Sequence, residues 1–239
     1  MTDKNLVKKL QKAMNDAGHT PKFAESGNYG EMTEAALKLY EFTVTAKKIV
    51  AAPLPKPTGE WFGAPWVGAN LDMLGLKEGD PKLESRFVPE WKLEGLPGYK
   101  TLVGNRHAWC SVVCNADLRK VGIKGTNSAA AASWSKWGKR SPFWFGAHLD
   151  IKHKGGGRHC CVFLYWIDEK KKLAATKDGN RSNTYGIFQT DLSGKGDTLA
   201  TGPRWSNDIP DGQFVSMAEA LAKYPELKVG TKGTESSTR

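Results

Sequence analysis

Apolar residues recur at helical spacing from the start of the chain. Leu6, Val7, Leu10 and Met14 fall on one face, with Lys8, Lys9 and Gln11 turned away, and the pattern stops at Gly18. Beyond a loop holding Gly27 and Gly30, Thr33 can cap a second helix that carries Ala35, Ala36, Leu37, Leu39, Tyr40 and Phe42. Pro53, Pro55 and Pro57 then alternate through residues 51–60, which excludes helix and predicts an extended spacer. The pattern therefore divides the chain into a helical unit at 1–50, a Pro-rich linker at 51–60 and a larger unit at 61–239.

In the larger unit, residues 61–74 read as a helix closed by Gly75, and residues 79–108 as loop rich in Gly, Pro and charge. Helical patterning returns at 110–121 and, after the turn 122–125, at the alanines of 128–134. Four apolar runs follow, at 147–153, 160–167, 173–176 and 184–190, and these read as strands. Residues 191–210 should complete the sheet with Trp205 as a buried anchor, residues 217–223 suit a short helix, and 228–239 are polar enough to be loose. Helices first and an antiparallel sheet after them predict an α+β fold.

Composition narrows the class. At 239 residues with 39% hydrophobic content the chain can bury a core, and no stretch approaches the roughly 18 apolar residues of a membrane span. The first dozen residues are charged and amphipathic, without the apolar run of a signal peptide, so the expectation is a protein made and kept in the cytosol until something releases it. Four cysteines without a framework fit a reduced compartment. The net charge of +10 calls for an anionic partner, but no recognition helix, RNP or zinc-finger pattern accompanies it. An anionic bacterial envelope is attracted by the same field, and nucleic acid is not expected as a partner.

The chemistry gathers at two places. Cys110 follows Trp109 where a loop of Gly104, Asn105 and Arg106 gives way to a helix, and a helix N-terminus stabilises a thiolate. His159 opens the apolar run Cys160-Cys161-Val162-Phe163-Leu164-Tyr165-Trp166, where a strand can hold its ring rigidly. A third group should fix the imidazole tautomer, and the polar turn Asp178-Gly179-Asn180 supplies one, with Asn180 favoured. Cys114, one turn on from Cys110, reads as core. Strand alternation sets His159 and Cys161 on one face and Cys160 on the other, buried on the far side from the site. A zinc site built from Cys110, Cys114, His159 and Cys161 is the sharpest rival, although that spacing is not a common zinc pattern. His107 reads as a loop residue, and His19, His148 and His153 show no constellation.

The run Trp109-Cys110-Ser111, with Gly122-Ile123-Lys124-Gly125-Thr126-Asn127-Ser128-Ala129, Ser133-Trp134 and Trp137-Gly138, resembles the CHAP/NlpC-related cysteine amidases and endopeptidases of phage lysis cassettes. Pro65-Trp66 and Leu74-Gly75-Leu76-Lys77-Glu78-Gly79 match that family's opening. His159 falls at its catalytic histidine, and Asp178-Gly179-Asn180-Arg181-Ser182-Asn183 resembles its Gly-Gly-Asn-Gln turn. The resemblance covers about 61–190. His107-Ala108 stands where the family has an acidic residue and a proline, and Arg158 where it has glycine. Within 1–50, the pattern Gly27-Asn28-Tyr29-Gly30…Thr33-Glu34-Ala35-Ala36 resembles the three-helix peptidoglycan-binding domain of wall hydrolases.

These resemblances imply a papain-like catalytic domain behind a wall-binding domain. The activity implied is hydrolysis of a peptidoglycan amide bond, either muramoyl-L-alanine or a stem-peptide link, in an endolysin. Cys110 would be nucleophile, His159 base and Asn180 orienting group, with no cofactor and no metal. The expected partners are peptidoglycan and a pore-forming lysis protein that releases a monomeric enzyme from the host cytoplasm. Two other classes remain: a non-catalytic wall-binding or tail protein with a hydrolase-like fold, and a zinc-stabilised basic module that binds nucleic acid.

Overall fold

The structure is a computed structural model, and it describes residues 60–104 and 108–230. The chain divides into two compact units, Met1–Pro53 and Leu54–Arg239, a division that falls inside the proline-bearing stretch. The two helices read at 1–50, the three-helix domain, residues 51–59 of the spacer, His107 and most of the polar tail lie outside the described residues.

The second unit is α+β, and its sheet is antiparallel at every pairing. The strands are β1 (Lys139–Arg140), β2 (His148–Lys152), β3 (Arg158–Asp168), β4 (Leu173–Arg181), β5 (Thr184–Asp191), β6 (Thr198–Leu199) and β7 (Arg204–Trp205). Their order is β1-β7-β2-β3-β4-β5, with β6 also paired to β2. The long hairpins β2–β3–β4–β5 make the centre, and their register sets Asp150 opposite Cys160 and Val162 opposite Lys177. Trp205 is fully buried, as its anchor role requires.

Three α-helices accompany the sheet among the described residues: α1 (Pro81–Leu93), α2 (Cys110–Lys120) and α3 (Met217–Lys223). The first of these departs from the loop expected over 79–108. Asp80 caps it, accepting from the backbone N–H of Lys82 at 2.8 Å and of Leu83 at 3.3 Å, and Pro81 sits at the start where its missing N–H costs nothing. Leu83, Phe87 and Trp91, spaced by four, bury one stripe against Trp109, Val112 and Val113.

A second departure lies at 61–74, read as one helix. The segment is instead three short 3₁₀ pieces, Glu60–Gly63, Pro65–Gly68 and Leu71–Met73. Pro65 starts a new turn, and Asn70 takes a left-handed conformation (φ 56°) that stops propagation. Left as turns, this segment presents three carbonyls, those of Trp66, Val67 and Ala69, to one group. All three accept from the buried Lys177 ammonium, at 3.1, 2.8 and 2.7 Å. Asp117 of α2 completes the cage at 3.0 Å, so one lysine from β4 ties the opening segment and α2 to the sheet.

Helix α2 carries nine buried residues in its eleven, from Cys110 to Leu118. It packs on the face of β3 that presents Cys160, Val162 and Leu164, in one cluster with Cys110, Cys114 and Leu118. Cys161 and Phe163 point to the other side of the sheet, with Leu149 and Ile151.

Candidate active site

Cys110 is the first residue of α2, and Trp109 at the cap position makes no side-chain hydrogen bond to the first turn. The opening N–H groups of the helix are thus left to act on whatever anion sits at its mouth. Trp109 is itself buried, its indole N–H donating to Glu78 Oε2 at 3.3 Å. Its ring lies over Gly179 of β4, where a Cβ would stand 2.6 Å from Trp109 Cζ3 and 2.7 Å from Val113 Cγ2. Glycine at 179 is what allows α2 to seat on the strand that carries Asp178.

The first half of α2 is held by a polar network that accounts for much of the 122–134 motif. Asn115 Oδ1 accepts from the backbone N–H of Thr126 (2.7 Å) and Asn127 (3.2 Å). Ser111 donates to the Ser128 carbonyl at 2.6 Å and accepts from the Trp134 indole at 2.9 Å. A Cβ at Gly125 would collide with Asn115 Oδ1, which explains glycine there. Behind these, Asn115 donates to Glu94 at 2.9 Å, and burial raises Glu94 to about 7 despite Arg119 at 2.8 Å. The motif residues that carry the family resemblance are therefore scaffold for the first turn of α2.

His159 and Asp178 form the other half of the site. His159 Nε2 lies 2.9 Å from Asp178 Oδ2, and the same oxygen accepts from Arg181 Nη2 at 2.8 Å. Arg181 is fixed in turn by Thr190 Oγ1 (2.8 Å) and the Gln189 carbonyl (3.1 Å). Cys110, His159 and Asp178 are all buried. His159 Nδ1 has no aligned hydrogen-bond partner among the described residues, which leaves that nitrogen to the thiol.

The electrostatics pair the two halves. Contact with the Cys160 thiol, and after it the neighbouring His159 ring, outweighs burial and holds the Cys110 thiol well below its ordinary range. Burial alone would push His159 down, but Asp178 and Cys110 together raise it to about 9. Both shifts favour a thiolate facing an imidazolium, and the charges alternate from Cys110 through His159 and Asp178 to Arg181. The remaining thiols are different. Cys114, Cys160 and Cys161 are free and buried, and all three are pushed up.

The structure brings the Cys110 and His159 side chains together; the sequence favoured Asn180 as the third group, and the structure gives the His159 contact to Asp178. The reason lies in the strand. Extending the Val162–Lys177 pairing would set His159 opposite Asn180 and Cys161 opposite Asp178. The register of β4 against β5 shifts between Asp178 and Arg181, however, and Asn180 takes a left-handed φ of 65°. Asp178, diagonal to His159, delivers the carboxylate instead. The face assignment of the thiols also reverses: Cys160, not Cys161, packs beside Cys110 and Cys114.

The remaining histidines have separate settings. His148 is stacked on Trp134 at 4.2 Å between ring centroids, and burial first, then Lys177, lowers it to about 3. His153 Nδ1 pairs with Asp197 Oδ2 at 2.7 Å. The zinc set considered from sequence does not assemble as such. Among the described residues the group with ligand atoms within 4.8 Å of one another is His159, Cys161 and Asp178. No helix of the described residues is long and apolar enough to cross a membrane.

Comparison with protein-family models, with curated proteins and with solved structures finds no match to this chain.

Proposed function

We propose that the second unit is a papain-like cysteine hydrolase that cleaves an amide bond of bacterial peptidoglycan, carried to the wall by a three-helix binding domain within residues 1–50. The observation that carries the chemistry is the array Cys110–His159–Asp178, with the thiol at a helix N-terminus and depressed, and the imidazole raised. The wall as substrate rests on the motif resemblances of the sequence, in the catalytic unit and in the N-terminal unit.

The Cys110 thiolate attacks the scissile carbonyl, and the developing oxyanion is met by the backbone N–H of Cys110 at the helix mouth. His159 gives its proton to the leaving amine as the C–N bond breaks, leaving a thioester. It then takes a proton from water, which attacks the thioester and returns free Cys110. Asp178 holds the ring through Nε2 so that Nδ1 faces the sulfur, and Arg181, 2.8 Å from the same oxygen, fixes the direction of the carboxylate. Because Cys110 is 1% exposed, turnover requires the chain around it to move aside for substrate. In this reading the protein is an endolysin-type enzyme released to the wall by a pore-forming partner, and its net charge of +10 favours an anionic envelope.

The test uses purified sacculi. The full chain should release soluble fragments and the Cys110→Ala variant should release none while keeping its fold; equal release by both would overturn the cysteine mechanism.

A further inference from the structure

The pairing that brings Asp178 to His159 also brings in a thiol that the hydrolytic reaction does not use. Cys161 follows His159 by two residues on β3, the strand paired with the β4 that carries Asp178. One ligand atom from each of His159, Cys161 and Asp178 falls within 4.8 Å of the other two. All three side chains are buried, so the group is a preformed set and not a chance meeting of surface residues. Its composition, one imidazole, one thiol and one carboxylate, is the donor mixture of borderline-soft divalent ions such as zinc, which binds at about 2.0–2.3 Å with three protein ligands and one open position. A second observation points the same way: Asp178 Oδ1 is buried without a hydrogen-bond partner among the described residues. Buried polar atoms left in that state mark a place where a ligand is gained at little cost.

We propose that His159, Cys161 and Asp178 form an inhibitory transition-metal site, at which zinc switches off the hydrolase by capturing its base; the inhibition rests on the hydrolase reading, and the binding does not. Zinc binding at Nε2 releases two protons, that of the Cys161 thiol and the Nε2 proton of the His159 imidazolium, and breaks the His159–Asp178 hydrogen bond; the thiolate and carboxylate offset the charge of the ion, while Arg181 stays on Asp178 Oδ2 at 2.8 Å. A metal on one ring nitrogen holds the proton on the other. The imidazole is left with no lone pair for the Cys110 proton and no second proton for a leaving amine. Cys161 thus acts as the metal handle of the site while taking no part in amide hydrolysis.

Cobalt(II) tests the binding without reference to activity, because a thiolate ligand gives it a sulfur-to-metal charge-transfer band in the near ultraviolet. The full chain titrated with cobalt should show the band at one equivalent, and zinc should displace it. Cys110→Ala and Cys114→Ala should retain the band, while Cys161→Ala should lose it, with affinity down at least about 100-fold. In the turnover arm, zinc should inhibit the wild type and leave Cys161→Ala active at wild-type rate. Absence of a band in the wild type, its survival in Cys161→Ala, or its loss in Cys110→Ala would each overturn the site. A normal band together with no hydrolysis in zinc-free protein would keep the metal site and discard the hydrolase.

Discussion

Asp178 Oδ2 stands 2.9 Å from His159 Nε2 inside the protein, and this contact decides which nitrogen of the ring is left for Cys110. An acid in that place does more than orient. It stabilises the imidazolium against burial, and the raised His159 in turn stabilises the thiolate.

The role of Asp178 is separable from that of Asn180. Asp178→Asn should lower kcat/KM on a soluble muropeptide by about 10²–10⁴-fold, since the ring loses the partner that sets its proton. Asn180→Gly keeps the left-handed backbone that φ 65° demands, and should stay within about tenfold of wild type. Comparable losses in both variants would return the orienting role to Asn180.

The pH dependence follows from the same pair. His159 is raised from 6.5 to about 9, so its charged form persists through neutral pH, and kcat/KM should fall on an alkaline limb near 9. Replacing Asp178 by Asn should move that limb to lower pH. The stability linked to His159 has the same sign: it is fully present below 6.5 and is lost as pH rises through about 9. Urea unfolding of wild type against His159→Gln, compared at pH 6 and pH 9.5, reads this as a shrinking difference.

Gly179 ties the seating of α2 to the strand that bears Asp178. A Cβ there would meet Trp109 and Val113 at 2.6–2.7 Å, so Gly179→Ala should cost about 1–3 kcal/mol in chemical denaturation and displace Cys110 from His159. Activity should fall further than stability does. Gly196, with nothing within 4 Å of a Cβ, is the control that should tolerate alanine.

Lys177 makes a prediction about folding alone. Its ammonium is buried, held by Asp117 and three carbonyls of the 3₁₀ segment. Lys177→Met should destabilise by about 3–5 kcal/mol because Asp117 is left as an unpaired buried charge. Adding Asp117→Asn should recover part of that loss, as a double-mutant cycle in urea would show.

Much of this was legible in the chain. The helix opened by Cys110, the strands flanking the 168–172 turn and the helix at Met217–Lys223 follow from periodicity and turn residues alone. Helix α1 was hidden because Pro81 and Pro89 read as breakers, although Asp80-Pro81 followed by Leu83, Phe87 and Trp91 is a cap and an apolar stripe. The choice of Asp178 over Asn180 depends on a register shift in β4, and the side on which α2 packs decides between Cys160 and Cys161. Both are tertiary facts: strand alternation gives the faces of a strand but not which of them a helix covers.

The central claim is that Cys110 cuts an amide bond of the wall, and mass spectrometry of digested peptidoglycan tests it most directly. The full chain should yield fragments with new free amino and carboxyl ends at one peptide or muramoyl-alanine bond, iodoacetamide at Cys110 should abolish them, and Cys110→Ala should give none. Intact peptidoglycan after exposure to the folded wild-type protein, or the same fragments from Cys110→Ala, would contradict the account.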